Sequence, residues 1–397
     1  MRKLHTAETG QVRAGEVTDV YFVRTRDVLR AKGASKRVCM EIILKSWPDP
    51  RFRWGIFAGL EEACTLLEGR PVTVHAMPEG SVFFTGEPVM TIEGDYLAFG
   101  ELETAILGCL CQASGIATQA SRFRVASRGK GLISFGARRM HPSIAPMVER
   151  SAFIGGCDGV ATLAAARLIG EVPVGTMPHA LVLLMGDTVS AALAFDEVMG
   201  PDVPRVVLID TFQDEKFEAV RVAEALGGRL YGVRLDTPSS RRGDFRALIE
   251  EVRWELDLRG YGHVKIYVSG GLGIEDVLAL SDVVDAFGVG TRISSAATLD
   301  FSMDVVAVEG RPLAKRGKRS GYKEVLRCTS CMRDFVVQRG MTRRCACSGP
   351  TVPLLEKVMD DGVIVKQPPT VRQMRALAVE SVDRLKGTTP EREVLGL

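Results

Sequence analysis

From about residue 111 onward, short apolar runs alternate with longer stretches in which apolar residues recur at helical spacing. The runs read GLISFG (131–136), VPVGT (172–176), RVVLID (205–210), LYGVRLD (230–236), VKIYVSGG (264–271) and DAFGVG (285–290), with helices predicted over 212–227 and 244–260. The second helix is the less cleanly amphipathic, because Trp254, Leu256 and Leu258 interleave with Arg253, Glu255, Asp257 and Arg259; Gly260 is its expected stop. Alternating strands and helices build βα units and a parallel sheet, so 111–300 is expected to form one α/β domain. Upstream, residues 66–94 alternate β-prone runs with Pro-Glu-Gly and Gly-Glu-Pro turns, the pattern of a small antiparallel sheet module closing a domain over 1–110. Residues 301–397 remain as a third segment.

Composition narrows the class. A chain of 397 residues with 46% hydrophobic and 25% charged residues suits two or three soluble domains. The net charge of +2 is small and its basic residues are dispersed, which argues against a nucleic-acid surface and leaves room for local anion sites. The amino terminus, MRKLHTAETGQVRAG, has no apolar core for a signal peptide, and the apolar runs are too short to span a bilayer, so a cytoplasmic location and no membrane partner are expected.

Nine cysteines in a reducing compartment point to buried or metal-bound thiols rather than disulfides. Cys39, Cys64, Cys109, Cys111 and Cys157 lie singly or on apolar segments and read as small buried hydrophobes. Cys328 and Cys331, then, after thirteen intervening residues, Cys345 and Cys347 form two close pairs able to give four thiolates to one tetrahedral structural Zn2+. Arg327, Arg333, Arg343 and Arg344 around them raise the rival reading of a nucleic-acid knuckle, but Phe335 is the only nearby stacking residue.

The residues just after each predicted strand carry the candidate chemistry. In barrels of βα units the active site is assembled at the carboxyl ends of the strands, with phosphate at the last two loops. Here those are Ser269-Gly270-Gly271, running toward a helix, and Gly290-Thr291, both rich in unobstructed backbone N–H groups. SFGARRMHP places Arg138 and Arg139 after a strand, where arginine forks suit phosphate oxygens.

TDVYFVRT, SFGARR, VGTMPHALV, LIDTF, VRLDTPSSRRGD, VSGG and AFGVGT occur in this order and cover nearly the whole chain. Together they resemble the nicotinate phosphoribosyltransferase family, most closely its archaeal-type members with a carboxy-terminal cysteine module. The resemblance implies an incomplete α/β barrel of the type II phosphoribosyltransferase fold, an open-faced α/β amino-terminal domain and a small zinc-ribbon-like carboxy-terminal domain. It implies transfer of phosphoribose from phosphoribosyl pyrophosphate (PRPP) to nicotinate, giving nicotinate mononucleotide and pyrophosphate, with Mg2+ and with ATP hydrolysis coupled through a phosphohistidine.

Such chemistry needs no strong base, because the pyridine nitrogen is already a nucleophile; it needs cations for the departing pyrophosphate and carboxylates for ribose and Mg2+. By resemblance, Phe135 stacks on the pyridine, Arg138 and Arg139 grip phosphates, and Arg234 faces ring and phosphate. Asp236 and Asp210 with Thr211 serve ribose or metal, and Gly270, Gly271, Gly290 and Thr291 hold the 5-phosphate. His179 takes the position of the phosphorylated histidine. Tyr21 reaches the pyridine from a neighbouring subunit, which implies a homo-oligomer with its site at a dimer interface. Asp158, in GGCDGVAT, takes a position where nicotinamide-using relatives carry Asp, so nicotinamide is an alternative substrate; quinolinate phosphoribosyl transfer and a non-catalytic nucleotide- or RNA-binding role are the others.

Overall fold

The computed structural model describes residues 4–387, 389 and 391–396. It divides into two compact units, one made of residues up to 121 together with 297 onward, the other of residues 122–296. The segments expected as separate first and third domains thus share one unit.

The first unit is organised by a seven-stranded antiparallel sheet. Its strands are β1 (Arg37–Leu44), β3 (Val72–Ala76), β5 (Pro88–Asp95), β12 (Phe301–Val308), β13 (Arg311–Pro312), β17 (Glu356–Asp360) and β18 (Val363–Ile364), in the order β13-β12-β1-β5-β3-β17-β18. A two-stranded ribbon joins β2 (Gly55–Ile56) to β4 (Val82–Phe83), and a three-stranded sheet holds β14 (Lys323–Cys328) between β15 (Asp334–Gln338) and β16 (Thr351–Pro353). Met40, Ile42 and Leu44 alternate inward along β1 and pack with Val74, Ile92, Phe57, Phe83, Phe99 and Phe301 in one continuous core. Trp54 is buried and donates its indole N–H to the Val394 carbonyl at 3.0 Å, tying the last helix into this unit.

The second unit is a six-stranded parallel sheet flanked by helices, an incomplete α/β barrel. Its strands are β6 (Gly131–Ser134), β7 (Gly159–Val160), β8 (Val206–Leu208), β9 (Gly232–Leu235), β10 (Lys265–Val268) and β11 (Ala286–Val289), in the order β7-β6-β11-β10-β9-β8. Five of the six predicted runs are strands. VPVGT is not: Pro173 has no N–H to give a ladder, and the backbone bond of this segment to the sheet is Val174 N–H to the Val160 carbonyl at 2.8 Å. The sixth strand is the two-residue β7, within GGCDGVAT.

The helix Glu215–Leu226 begins at Asp214, whose carboxylate accepts from the Lys216 N–H at 3.1 Å. The helix Phe245–Leu258 buries Phe245, Ile249, Val252 and Leu256, a spacing of four, three and four, and leaves Trp254 and Leu258 exposed. Its apparent irregularity in sequence is therefore an apolar stripe with two hydrophobes outside it. Gly260, at φ +80°, ends it in the left-handed region as expected.

Candidate active site

Parallel pairing puts the carboxyl ends of all six strands on one edge, so residues far apart in the chain become neighbours. β6 leads into Phe135, whose N–H bonds the Val289 carbonyl at 2.8 Å; β11 leads into Gly290 and Thr291; β10 leads into Ser269, whose N–H bonds the Leu235 carbonyl at 2.9 Å. β9 leads into Asp236, and β8 into Asp210 and Thr211, with the Ile209 N–H bonded to the Arg234 carbonyl at 3.1 Å.

Arg234 is held on three sides. Its Nε donates to the Ser269 hydroxyl at 2.9 Å, its Nη1 to the Thr176 hydroxyl at 2.7 Å, and its Nη2 lies 3.0 Å from Asp236 Oδ2. The guanidinium also lies over the Phe135 ring, 5.2 Å from its centroid. Ser269 closes the circuit by donating to Asp236 Oδ1 at 2.6 Å. The five residues Phe135, Thr176, Arg234, Asp236 and Ser269 thus form one contiguous set.

Beside it, His179 opens the helix His179–Met185 and places Nε2 3.3 Å from Asp210 Oδ2. His179 is 41% exposed at its side chain and Asp210 only 2%, so a buried carboxylate faces a solvent-reachable imidazole. Burial pushes the Asp210 carboxyl above its ordinary range; His179 opposes this shift and Asp236 adds to it. Asp210 Oδ1 and the Thr211 hydroxyl are buried with no hydrogen-bond partner, two polar atoms that a bound ligand or ion would satisfy.

Gly270 and Gly271 take φ of +98° and +75°, a conformation open to glycine, and a Cβ on Gly270 would meet the Asp236 carbonyl at 3.1 Å. Arg138 and Arg139 lie on a single 3₁₀ turn, Ala137–Arg139, exposed and without an ion pair among the described residues. Arg242 is not free for a ligand: its Nε donates to the Thr237 carbonyl at 3.0 Å, it also bonds the Gly270 carbonyl, and it covers the Phe245 ring.

Asp158 does not join this rim. It precedes β7, beside the start of β6, where its Oδ2 accepts from the Leu132 N–H at 2.8 Å and pairs with Arg124 at 2.8 Å. Asp158 thus lies just ahead of its short strand, level with Leu132 and paired to Arg124, whereas the rim residues follow their strands. Tyr21 lies in the first unit on the helix Val20–Lys32, exposed, with its ring 4.2 Å from Phe22.

Two residues of the rim escaped the sequence reading. Thr176, within VGTMPHALV, was visible only as part of a motif. Glu149 is fully buried on the helix Ala145–Ile154 and accepts from the Ala161 N–H at 2.8 Å and the Thr162 N–H at 3.0 Å, fixing the loop after β7. It lies four residues after Ala145 and four before Phe153, both buried, and a carboxylate in phase with an apolar face is the signal that would have found it.

In the first unit the four cysteines of the pair motif converge, with all sulfurs within 4.8 Å of one another. Cys328 and Cys347 are 3.5 Å apart, as are Cys331 and Cys345. A Zn–S bond of about 2.3 Å gives a tetrahedron whose sulfurs are about 3.8 Å apart, so the set fits that ion. Backbone N–H groups of Cys331 and Ser330 lower the Cys328 thiol below its ordinary range, while hydrogen bonds with the other three cysteines push the Cys347 thiol up.

Comparison with known proteins assigns the family. Residues 19–114 match the model of the quinolinate phosphoribosyl transferase N-terminal domain, and residues 116–304 that of its C-terminal domain. The chain is 32% identical over 351 residues to nicotinate phosphoribosyltransferase pncB1 of Mycobacterium tuberculosis, covering 78% of this chain and 76% of that protein. It belongs to the nicotinate phosphoribosyltransferase family. Among solved structures of similar proteins, nicotinate-nucleotide pyrophosphorylase from Pyrococcus furiosus is 52% identical with a TM-score of 0.95, over 97% of this chain and 99% of that one. Human nicotinic acid phosphoribosyltransferase, 22% identical over 95% of both chains with a TM-score of 0.72, shares the fold.

Proposed function

We propose that this chain transfers phosphoribose from PRPP to the ring nitrogen of nicotinate, forming nicotinate mononucleotide and pyrophosphate in NAD biosynthesis. The observation that carries this reading is the meeting, on one edge of the parallel sheet, of an arginine-bearing turn, two glycine-bearing loops and two carboxylates. Relatives named as nicotinate phosphoribosyltransferases support the same substrate, and a homologue named for nicotinate nucleotide agrees with the product. The domain models carry a quinolinate name, but quinolinate has a second carboxylate, and no separate basic pocket for it stands out in the sequence.

The geometry supports the following roles. Phe135 offers a flat apolar face to the pyridine, and Arg234, held across it, supplies the charge that selects a carboxylate substituent. Arg138 and Arg139 meet phosphate oxygens. The amides of Gly270, Gly271, Gly290 and Thr291 cradle the 5-phosphate. As the C–O bond to pyrophosphate stretches, positive charge grows on the anomeric carbon and negative charge on the leaving group; Asp236 steadies the first and the arginines the second. Mg2+ arriving with PRPP would be held by Asp236 and Asp210, and it supplies charge neutralisation of the pyrophosphate. With Asp158 paired to Arg124, that carboxylate does not repel nicotinate.

Three finer features belong to the same reading. His179 accepts a phosphoryl group from ATP, with Asp210 orienting the imidazole through Nε2. Tyr21 of a second subunit completes the pyridine site, which makes the protein a homo-oligomer. Zn2+ on the four cysteines folds the segment around β14 and β15 and takes no part in the chemistry.

The test is direct. Purified protein with PRPP and Mg2+ is given nicotinate, nicotinamide or quinolinate, with and without ATP, and mononucleotide is measured. Turnover is expected with nicotinate and rises with ATP; preference for either of the other two would overturn the substrate assignment.

A further inference from the structure

Ser269 belongs to a loop expected to bind phosphate, but its side chain does something else. The residue is 2% exposed, so its hydroxyl is not presented to a ligand. A hydroxyl has one proton to give and lone pairs to receive. Here the proton goes to Asp236 Oδ1 at 2.6 Å, and the lone pair receives Arg234 Nε at 2.9 Å. Asp236 Oδ2 meets Arg234 Nη2 at 3.0 Å, so three side chains close a ring of hydrogen bonds in which both carboxylate oxygens and two guanidinium nitrogens are fixed.

The direct Arg234–Asp236 pair alone leaves the carboxylate free to rotate about its Cβ–Cγ bond and leaves the guanidinium free to slide along it. The serine removes both freedoms, because it anchors Oδ1 and Nε to a point at the carboxyl end of β10 while Oδ2 and Nη2 engage each other. We infer that Ser269 is the positioning residue of the site, setting the plane of Arg234 against the Phe135 ring and the orientation of Asp236 toward the ribose and its metal. The inference rests on the proposed phosphoribosyl transfer and deepens it. Residues that orient a first layer of charged groups are typically worth about 10- to 100-fold in activity or metal affinity.

The experiment is a double-mutant cycle of Ser269→Ala, Asp236→Asn and the pair, read in two ways: kcat/KM for nicotinate mononucleotide formation, and Mg2+-dependent PRPP binding by calorimetry. Ser269→Ala removes one oxygen and leaves the backbone bond of residue 269 in place, so the fold is expected to persist, with thermal unfolding as the check. The expected result is a loss of about 10- to 100-fold in kcat/KM with weakened PRPP binding. A serine that acts through Asp236 and Arg234 also predicts that the double variant loses less than the product of the two single losses. A Ser269→Ala protein within twofold of wild type, or losses that multiply in the double variant, would overturn the positioning role alone. Wild-type protein that binds PRPP without turning over nicotinate sinks the substrate assignment and leaves the binding cycle to decide the serine. Wild-type protein that neither binds PRPP nor turns over sinks both.

Discussion

Gly288, inside β11, offers a sharp test of whether Phe135 is the platform for the pyridine. A Cβ added there would stand 2.3 Å from Phe135 Cε2, 2.4 Å from Cδ2 and 3.2 Å from the Ser269 Cβ. Ordinary contact begins at 3.4 Å, so the ring must retreat by about 1.1 Å. The Phe135 backbone cannot follow, because its N–H is bonded to Val289 of the same strand as Gly288. The movement therefore falls on the side chain, and the Arg234 guanidinium over that ring loses its support. Overpacking of this kind costs about 1–3 kcal/mol, a fall of several degrees in Tm for a unit of this size. A displacement of about 1 Å at a reacting centre costs on the order of 100-fold in rate. Gly288→Ala is thus expected to lower kcat/KM for nicotinate about 100-fold, with PRPP binding reduced much less, since the contact with Ser269 is far milder than that with Phe135. Steady-state kinetics with each substrate varied in turn, alongside thermal unfolding, gives both numbers. A folded variant with wild-type nicotinate kinetics would remove Phe135 from the pyridine site.

His179→Ala is expected to abolish stimulation by ATP while preserving basal transfer; stimulation that survives the substitution would exclude the phosphohistidine. Elemental analysis is expected to find about one zinc per chain, and chelation at neutral pH to lower Tm, because structural zinc contributes about 10–16 kcal/mol of apparent binding energy in small modules; a metal-free protein with unchanged Tm would refute the four-thiolate site. Glu103, in the first turn of the helix Glu103–Ala126, is pushed up to about 7 by burial and then by Asp304. A raised carboxyl binds its proton more tightly when folded, so its contribution falls as pH rises from its unfolded value through about 7. Glu103→Gln is therefore expected to raise stability at pH 8 by about 1–2 kcal/mol after solvent screening, and to do little at pH 5, in calorimetric melts; equal effects at the two pH values would contradict this.

The parallel unit was legible because each strand announced its own end. GLISFG, RVVLID, LYGVRLD, VKIYVSGG and DAFGVG all pass from apolar residues to glycine or acid at the point where the chain leaves the sheet, and pairing register then sets those ends side by side. The position of Asp158 relative to its strand was hidden for the reverse reason. Its strand is two residues long, too short for periodicity to show, so nothing in GGCDGVAT marks the acid as preceding the strand rather than coming after it. Ser269 looked like part of a phosphate loop because its partners, Arg234 and Asp236, are 35 and 33 positions away, and a hydroxyl's use depends on what folding brings to it. The long sheet of the first unit was invisible as a whole: its strands come from both ends of the chain, and antiparallel ladders between distant segments leave no local mark beyond alternation.

That split sheet imposes an order on biogenesis. β1, β3 and β5 emerge from the ribosome first, yet the strands that flank them, β12 and β17, are made only after the entire parallel unit. Until then a three-stranded fragment presents two bare edges, and unpaired edges recruit other chains. Premature termination anywhere before residue 301 would leave that fragment permanently open, so truncated products are destined for aggregation or proteolysis even if the parallel unit folds.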